Sequence, residues 1–244
     1  QHWRICSRPL LQTTLRPYGL RRKTSKEGLA KAGWGKETTS PGLVYLTTPN
    51  NPSGNATPIE HLEQMAETCQ EVGAIFVVDE AYAEFSNNVS ALSLLNRFPN
   101  VIISRTMSKA FAFAGVRVGY MIADPILIEA MLLIRLPYHL SSLTQSAALA
   151  ALTHSQELSA QIAKIIDSRK FLAKELESLG LIVIGSEANF LLFTGFKESA
   201  SELFTKLVDK GVLIRDVSIP GYLRVTIGTE DENKAFLEAL TSIL

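Results

Sequence analysis

The sequence is poor in the residues that build metal centres or disulfide frameworks. Its 244 residues contain two cysteines, Cys6 and Cys69, and four histidines, none of them at the spacing of metal ligands. Sparse, widely separated cysteines are typical of proteins from a reducing compartment. We therefore expect a cytoplasmic protein without a metal site.

Long apolar runs, a secretory signal and a dinucleotide-binding fingerprint are missing as well. No uninterrupted apolar stretch reaches the ~18 residues of a membrane helix, and no glycine-rich G-x-G-x-x-G motif occurs. We expect no membrane partner and no nucleotide cofactor of that kind. A hydrophobic content of 46% is nevertheless enough for a sizeable core in one large or two small domains.

The formal net charge of zero hides two unlike parts of the chain. Residues 1–40 contain nine basic and two acidic residues, whereas the remaining 204 contain 15 basic and 22 acidic ones. The basic part has no sustained helical or alternating pattern, so we expect an atypical, disordered segment. A transit peptide and a nucleic-acid-binding arm are the alternatives. The segment lacks the amphipathic periodicity of the first and any motif of the second, and we expect no nucleic-acid partner.

From Leu43 onward, predicted strands and helices alternate as in an α/β protein with a mostly parallel sheet. Thr57 is expected to cap the first helix, with Pro58 at its first position. Strands are expected near residues 43–48, 74–78, 101–103 and 116–123, and helices over 125–136, 143–152 and 157–179, with Gly180 at the end of the last one. In the C-terminal part, strands are expected over 181–184, 189–193, 212–216 and 223–227, and helices over 200–210 and 231–244. We expect a large domain over residues 41–155, a connecting helix over 156–180 and a small α+β domain over 181–244.

The most informative stretch is 104–119, because it places Lys109 in a small-residue loop directly after a predicted strand. A lysine that forms a Schiff base must be partly desolvated so that its amine is neutral and nucleophilic. Thr106, Ser108 and Arg117 are candidates to bind a phosphate nearby. A surface lysine after a strand is the alternative interpretation.

Three further candidates follow predicted strands. Asp79 ends the apolar run 74–78, and ligands of open α/β sheets bind at the carboxyl ends of strands. Tyr82 comes three residues later and is placed to reach the same ligand. Asn51 lies in the turn 49–54 before a proline, where the backbone is restricted and an X-Pro bond can be cis. A turn or capping acid is the alternative for Asp79.

Arg224 interrupts an alternating, strand-like run at residues 223–227. An arginine inside a strand needs a partner, and its planar fork suits a carboxylate. A salt bridge within the protein is the alternative.

Taken in order, these motifs resemble the fold-type I pyridoxal-phosphate aminotransferases. Within that family the chain is most similar to the histidinol-phosphate aminotransferases of actinobacteria. The stretches that carry the resemblance are 50–54, 79–82, 104–111, 115–120 and 223–228, with 136–142, 188–190 and 214–217 for the subfamily.

The resemblance implies a role for each candidate residue. Lys109 matches the lysine that forms a Schiff base with pyridoxal phosphate and shifts the proton, and Asp79 matches the partner of the ring nitrogen. Tyr82 and Asn51 match the groups that bond the ring oxygen. Thr106, Ser108 and Arg117 match the ligands of the cofactor phosphate, Arg224 the clamp for the substrate carboxylate, and Arg215 a contact to the substrate phosphate.

The implied reaction converts histidinol phosphate and 2-oxoglutarate to imidazole-acetol phosphate and glutamate, in histidine biosynthesis and within a homodimer. An aromatic amino-acid aminotransferase and a catalytically silent remnant are the alternatives. The family's Gly-Ser/Ala-Asp-Glu phosphate turn and its ring-stacking aromatic residue have no match here. We therefore expect a truncated product that lacks the N-terminal third of the fold and is poorly soluble and inactive as a fragment.

Overall fold

The computed structural model describes residues 4–8 and 41–244 and divides the chain into two compact units. Unit 1 contains the described residues up to Thr47 together with Thr57–Ala81 and Asn88–His154. Unit 2 contains Thr48–Ala56, Tyr82–Asn87 and Ser155–Leu244. Two short loop segments that follow strands of unit 1 thus belong to unit 2, which the sequence pattern does not indicate.

Unit 1 is built on a mixed sheet. Its strands are β1 (Arg4–Arg8), β2 (Leu43–Thr47), β3 (Ile75–Asp79), β4 (Val101–Thr106) and β5 (Gly119–Ala123), in the order β1-β5-β4-β3-β2. The neighbours β2, β3 and β4 run parallel, whereas β5 is antiparallel to both β4 and β1. The predicted α/β class is confirmed. Because parallel strands share an edge at their carboxyl ends, Asp79 and the chain after Thr106 emerge on the same side.

Both faces of this sheet pack against helices of unit 1, α1 (Ile59–Glu71) on one and α2 (Pro125–Ile134) on the other. Phe76 and Val78 of β3 are fully buried on the α1 side, beside Leu62 and Ala66. On the opposite face Ile102 packs with residues of α2. The continuous apolar run of β3 follows from this double coverage. A further helix, α3 (Ser142–Thr153), completes the unit.

Unit 2 contains a second, antiparallel sheet with three helices. Its strands β6 (Ile182–Ile184), β7 (Phe190–Thr194), β8 (Arg215–Asp216) and β9 (Leu223–Thr226) have the order β6-β7-β9-β8. The helices are α4 (Ser155–Ser178), α5 (Ala200–Asp209) and α6 (Glu230–Thr241). Leu172, Leu203 and Phe236 of the three helices meet Phe193 of β7 in one core. As predicted, Gly180 follows α4 with a positive φ of 81°.

Several predicted element boundaries are wrong for local reasons. Helix α1 begins at Ile59 with Pro58 at its cap position and no side-chain cap bond, so Thr57 is not its cap. Strand β5 begins at Gly119 rather than at residue 116, because the chain first forms a short 3₁₀ turn and Arg117 adopts a left-handed φ of 58°. Strand β8 is confined to two residues, not the five expected from 212–216.

The basic N-terminal part contains one element that its composition does not indicate. Arg4–Arg8 form the strand β1, which pairs with β5 at one edge of the sheet. Edge pairing needs only backbone groups, so the absence of an apolar pattern does not prevent it. The remaining expectations for residues 1–40 concern residues outside the described part. Within the described ranges, no helix is both long and apolar enough to cross a membrane.

Candidate functional site

Asp79 ends β3 at the carboxyl edge of the unit 1 sheet, as predicted. Its Oδ2 atom accepts a hydrogen bond from the Tyr45 hydroxyl at 2.9 Å, and its Oδ1 atom accepts one from the Ala81 amide at 3.1 Å. Burial raises the pKa of Asp79, while the bond from Tyr45 opposes that shift. Removal of water disfavours the ionised form of a carboxyl group, so a cationic partner would stabilise the ionised form of Asp79.

Tyr45 is a site residue that the sequence analysis missed. Tyr45 is half-exposed, but partial burial and the neighbouring charge of Asp79 raise the pKa of Tyr45 to about 12, so it donates as a neutral phenol. Ser104 lies directly beside Asp79 in the β3–β4 register, where its hydroxyl, like that of Tyr45, opposes the rise in the pKa of Asp79. Residues on parallel neighbours at the same register share a face. That rule would have pointed to Ser104, whereas Tyr45 pairs with Val77, two residues before Asp79 on the same face.

A buried ion pair fixes the chain immediately after Asp79. Glu80 is only 2% exposed and accepts hydrogen bonds from Arg105 at 3.0 and 2.7 Å. It also accepts bonds from the Ser90 hydroxyl and the Ala91 amide. A paired and hydrogen-bonded buried charge restricts its backbone to one position. The network therefore fixes the backbone position of Asp79, the residue that precedes Glu80.

The predicted lysine loop follows β4 in the same unit. Thr106 is buried, and its Oγ1 atom accepts a hydrogen bond from the Ser108 amide at 3.0 Å. The Met107 amide donates to the Val118 carbonyl at 3.1 Å and so closes the loop at its base. Such a loop presents its short polar side chains at one end of the sheet.

Two residues of this loop adopt a left-handed backbone conformation. Ala112 has a φ of 54° and Arg117 a φ of 58°, both unusual for residues other than glycine. Arg117 donates from Nη1 to the Ala114 carbonyl at 2.8 Å. Strained conformations of this kind concentrate at functional sites. The backbone conformation of the loop therefore also marks it as a candidate functional site.

Lys109 is exposed, so the expected desolvation of its amine is not found. Its loop neighbours Ala112 and Ala114 are small and are themselves exposed, so they cover little of its side chain.

In unit 2, Arg224 is the centre of a second group. One Nη1 hydrogen of Arg224 is donated to the Asn51 Oδ1 atom, and the guanidinium carbon lies 4.6 Å from the centre of the Phe190 ring. The Tyr82 ring meets the same Phe190 ring edge-on at 5.2 Å. Tyr82 and Arg224 thus both contact Phe190, and Asn51 joins this group through its hydrogen bond with Arg224. In the sequence, Phe190 stands out only as part of the stretch 188–190 that resembles the subfamily.

Arg215 lies directly opposite Arg224 in the antiparallel pair β8–β9. Burial lowers the pKa of Arg224, and the positive charge of Arg215 lowers it further, whereas Tyr82 opposes the shift. The buried Nε atom of Arg224 has no hydrogen-bond partner among the described residues. Like charges opposite one another are destabilising. A bound anion would relieve this repulsion and satisfy the open donor.

The nine predicted residues are therefore found in two groups. Asp79, Thr106, Ser108, Lys109 and Arg117 lie in unit 1, and Asn51, Tyr82, Arg215 and Arg224 lie in unit 2. The first group offers a carboxylate, an amine and hydroxyls, and the second offers cations and an amide. Both Thr48–Pro49 and Asn51–Pro52 are cis.

Comparison with known proteins gives concordant results. The family model described as "Aminotransferase class I and II" matches residues 21–240. Histidinol-phosphate aminotransferase of Mycobacterium sp. (strain JLS) is 52% identical over 200 residues, which are 82% of this chain and 52% of that protein. The chain spans about half the length of the curated relatives it matches.

Solved structures show the same likeness. Histidinol-phosphate aminotransferase from Sinorhizobium meliloti in complex with pyridoxal-5'-phosphate has a TM-score of 0.74 and 31% identity, covering 83% of this chain and 57% of that chain. The histidinol-phosphate aminotransferase from Clostridium acetobutylicum has a TM-score of 0.78 and 25% identity, covering 83% of this chain and 64% of that chain.

Proposed function

This chain belongs to the class I and II aminotransferases, and on that premise we propose that it transfers an amino group from histidinol phosphate to 2-oxoglutarate. The observation that carries the choice of substrate is the pair Arg215 and Arg224, which lie directly opposite each other on β8 and β9. Two adjacent guanidinium groups suit substrates with a phosphate or carboxylate group. The 52% identity to a histidinol-phosphate aminotransferase supports the same choice.

The cofactor of this family is pyridoxal phosphate, and the residues of unit 1 fit it. Asp79 is a desolvated carboxylate with a raised pKa, which a protonated ring nitrogen would stabilise in its ionised form. When bound, this cofactor supplies a ring that accepts the electrons left when a proton leaves the substrate carbon. Thr106, Ser108 and Arg117 would hold its phosphate, since Thr106 ends β4 and the other two belong to the loop that follows it.

Lys109 has the role of moving the proton. Its Nζ atom would take the proton from the substrate carbon and deliver it to the carbon on the other side of the transferred nitrogen. A general base of this kind must be neutral when it acts. Because Lys109 is exposed in this structure, the proposed role requires that bound substrate or cofactor exclude water from its amine.

The unit 2 residues would orient the ligand. Asn51 accepts from Arg224 through Oδ1, which leaves its Nδ2 hydrogens to donate to a ring oxygen. Tyr82 is 7% exposed and is held edge-on against Phe190, so its hydroxyl has a restricted range of positions. Arg224 would bind the carboxylate of 2-oxoglutarate, and Arg215 the phosphate of histidinol phosphate.

The exposure of Lys109 favours a second candidate, a chain that binds the cofactor without turnover. Two measurements on the purified chain separate the candidates. Borohydride reduction with pyridoxal phosphate should label Lys109 in either case, as mapped by peptide mass spectrometry. Formation of glutamate from 2-oxoglutarate and histidinol phosphate should occur only if the first proposal holds. Label on other lysines with none on Lys109 would refute both.

Two variants test the roles within an active preparation. Lys109→Ala should abolish turnover, and Asp79→Asn should reduce it ~10²-fold or more, as for the loss of a positioned proton-transfer group. Equal rates for wild type and Asp79→Asn would refute the assignment of Asp79. A homodimer and a cytoplasmic location remain parts of this proposal, and analytical ultracentrifugation tests the first.

A further inference from the structure

Arg169 is a buried cation that none of the proposed roles uses. It lies in the middle of α4, is 5% exposed, and belongs to unit 2. Burial lowers the pKa of Arg169, and the carboxylate of Glu187 opposes that shift. A charge that is taken out of water needs partners to compensate for the lost hydration. The identity of those partners shows what the residue does.

The partners of Arg169 are two backbone carbonyls. Its Nη1 atom donates to the Phe85 carbonyl at 3.1 Å and to the Ala188 carbonyl at 2.7 Å. Its Nη2 atom lies 3.8 Å from the Glu187 carboxylate, which also accepts a hydrogen bond from the Asn87 amide at 3.0 Å. One guanidinium thus binds two separate pieces of chain, and charge-assisted bonds of this kind are among the strong ones.

Both pieces of chain carry residues of the candidate site. Phe85 ends the 3₁₀ turn that starts after Tyr82, and its amide donates back to the Tyr82 carbonyl at 3.0 Å. Ala188 comes two residues before Phe190, the ring that contacts Tyr82 and lies under the Arg224 guanidinium.

The segment around Ala188, which we call the 185–190 segment, also binds the loop that carries Asn51. The Glu187 amide donates to the Gly54 carbonyl at 2.8 Å, and the Asn55 side chain donates to the Gly185 carbonyl at 2.9 Å. Gly54 has a φ of 82°, and a Cβ atom there would lie 2.3 Å from the Ser186 hydroxyl. A side chain at position 54 would therefore clash with Ser186, and the positive φ also favours glycine there.

We propose that Arg169 is a positioning residue: by binding the carbonyls of Phe85 and Ala188 it holds Tyr82 and, through Phe190, Arg224 in the arrangement that binds substrate. This proposal rests on the proposed function for the roles of Tyr82 and Arg224. Helix α4 supplies the rigid support, because its residues Leu172 and Leu176 are fully buried in the core of unit 2. Arg169 itself touches none of the reacting groups.

Hydrogen exchange of the cofactor-free chain tests the positioning without any need for activity. Arg169→Met keeps the stem of the side chain but removes every donor. We expect the peptides that cover 82–87 and 185–190 to exchange about tenfold faster, as for the loss of one hydrogen bond. Peptides of α5 and α6 should keep the exchange rates of the wild type. Lys170→Met removes the neighbouring, exposed charge of the same helix and is the matched control.

Unchanged exchange in the two segments would overturn the proposal, and so would a uniform increase across unit 2, since that is the signature of a purely structural role. If Arg169→Met does not fold, Arg169→Lys decides in the same assay. Its single ammonium group keeps the charge but cannot reproduce the fork. The same two segments should then exchange faster, to a smaller degree, and wild-type rates would overturn the proposal.

A kinetic measurement adds a second, independent criterion wherever the wild-type chain turns over. Arg169→Met should raise the KM for 2-oxoglutarate about tenfold, by displacing Arg224, and Arg169→Lys should recover part of that loss. A fall in kcat alone with unchanged KM would overturn the link to Arg224. If the wild-type chain shows no turnover, the proposed function fails, while the exchange experiment still decides the positioning of the two segments.

Discussion

Replacing Arg215 should distinguish a histidinol-phosphate aminotransferase from an aromatic amino-acid aminotransferase. Arg215 is exposed on the two-residue strand β8 and lies opposite Arg224. Arg215→Gln removes a charge-assisted bond to the substrate phosphate, which is worth ~1.5–3 kcal/mol. This corresponds to a roughly 10- to 150-fold lower kcat/KM for histidinol phosphate. Phenylalanine has no phosphate, so its kcat/KM should change little.

The cross-strand repulsion between Arg215 and Arg224 works in the opposite direction. Removing one of two like charges that face each other stabilises an antiparallel pair by ~0.2–1 kcal/mol. This gain concerns the stability of the free chain, so it does not offset the loss of kcat/KM for histidinol phosphate. The same gain should appear as a small increase in the free energy of unfolding, which urea denaturation measures.

The assay compares initial rates for both amino donors with 2-oxoglutarate as the acceptor. Lys234→Gln is the control, because Lys234 is an equally exposed cation on unit 2, with a side chain 74% accessible. Its kcat/KM should equal that of the wild type for both donors. If Arg215→Gln reduces kcat/KM for both donors to the same extent, Arg215 does not bind the substrate phosphate. An aromatic amino-acid aminotransferase then becomes the better interpretation.

Three further predictions concern stability. Burial raises the pKa of Asp79 above its unfolded value, so ionisation of this carboxylate disfavours the fold; Asp79→Asn should raise the free energy of unfolding of the cofactor-free chain at neutral pH. The difference should disappear below pH ~4, near the unfolded pKa, and a difference that is the same at every pH would contradict it. Phe193→Ala in the core of unit 2 should cost ~3–5 kcal/mol in urea denaturation, whereas Ile182→Ala, at a position 60% exposed, should change little. Ser199→Ala removes one half of the capping box of α5 and should cost ~0.5–2 kcal/mol; a cost below that of Ile182→Ala would refute the contribution of the cap.

The elements that sequence reasoning predicted well are those whose signal is local. Helix α4 and strand β7 differ from the expected bounds by at most two residues, since their periodicity and the terminal Gly180 are readable from a short window. Strand β8 was expected over 212–216 but pairs only at Arg215–Asp216. Its length depends on a neighbour, β9, and not on its own residues.

The residues of the candidate site show the same difference between local and long-range signals. Residues that sit at the ends of strands, such as Asp79, were found because the rule for ligand positions in α/β sheets requires only the strand pattern. Tyr45 was missed because its contact with Asp79 joins residues 34 positions apart, and only the strand register reveals it. The exposure of Lys109 was also not predictable, since a sequence does not show how much of a loop its neighbours cover.

Arg169 shows most clearly why part of a site escapes sequence reasoning. Within α4 its position is that of an ordinary polar residue on an amphipathic helix, where an exposed face is the usual expectation. The structure instead buries it, because residues 84 positions upstream and 19 positions downstream supply the carbonyls that compensate for its lost hydration. Neither carbonyl has a side-chain signature, since every residue carries one. A buried cation whose partners are backbone groups can therefore be recognised only after the fold is known, and its role follows from what those pieces of backbone carry.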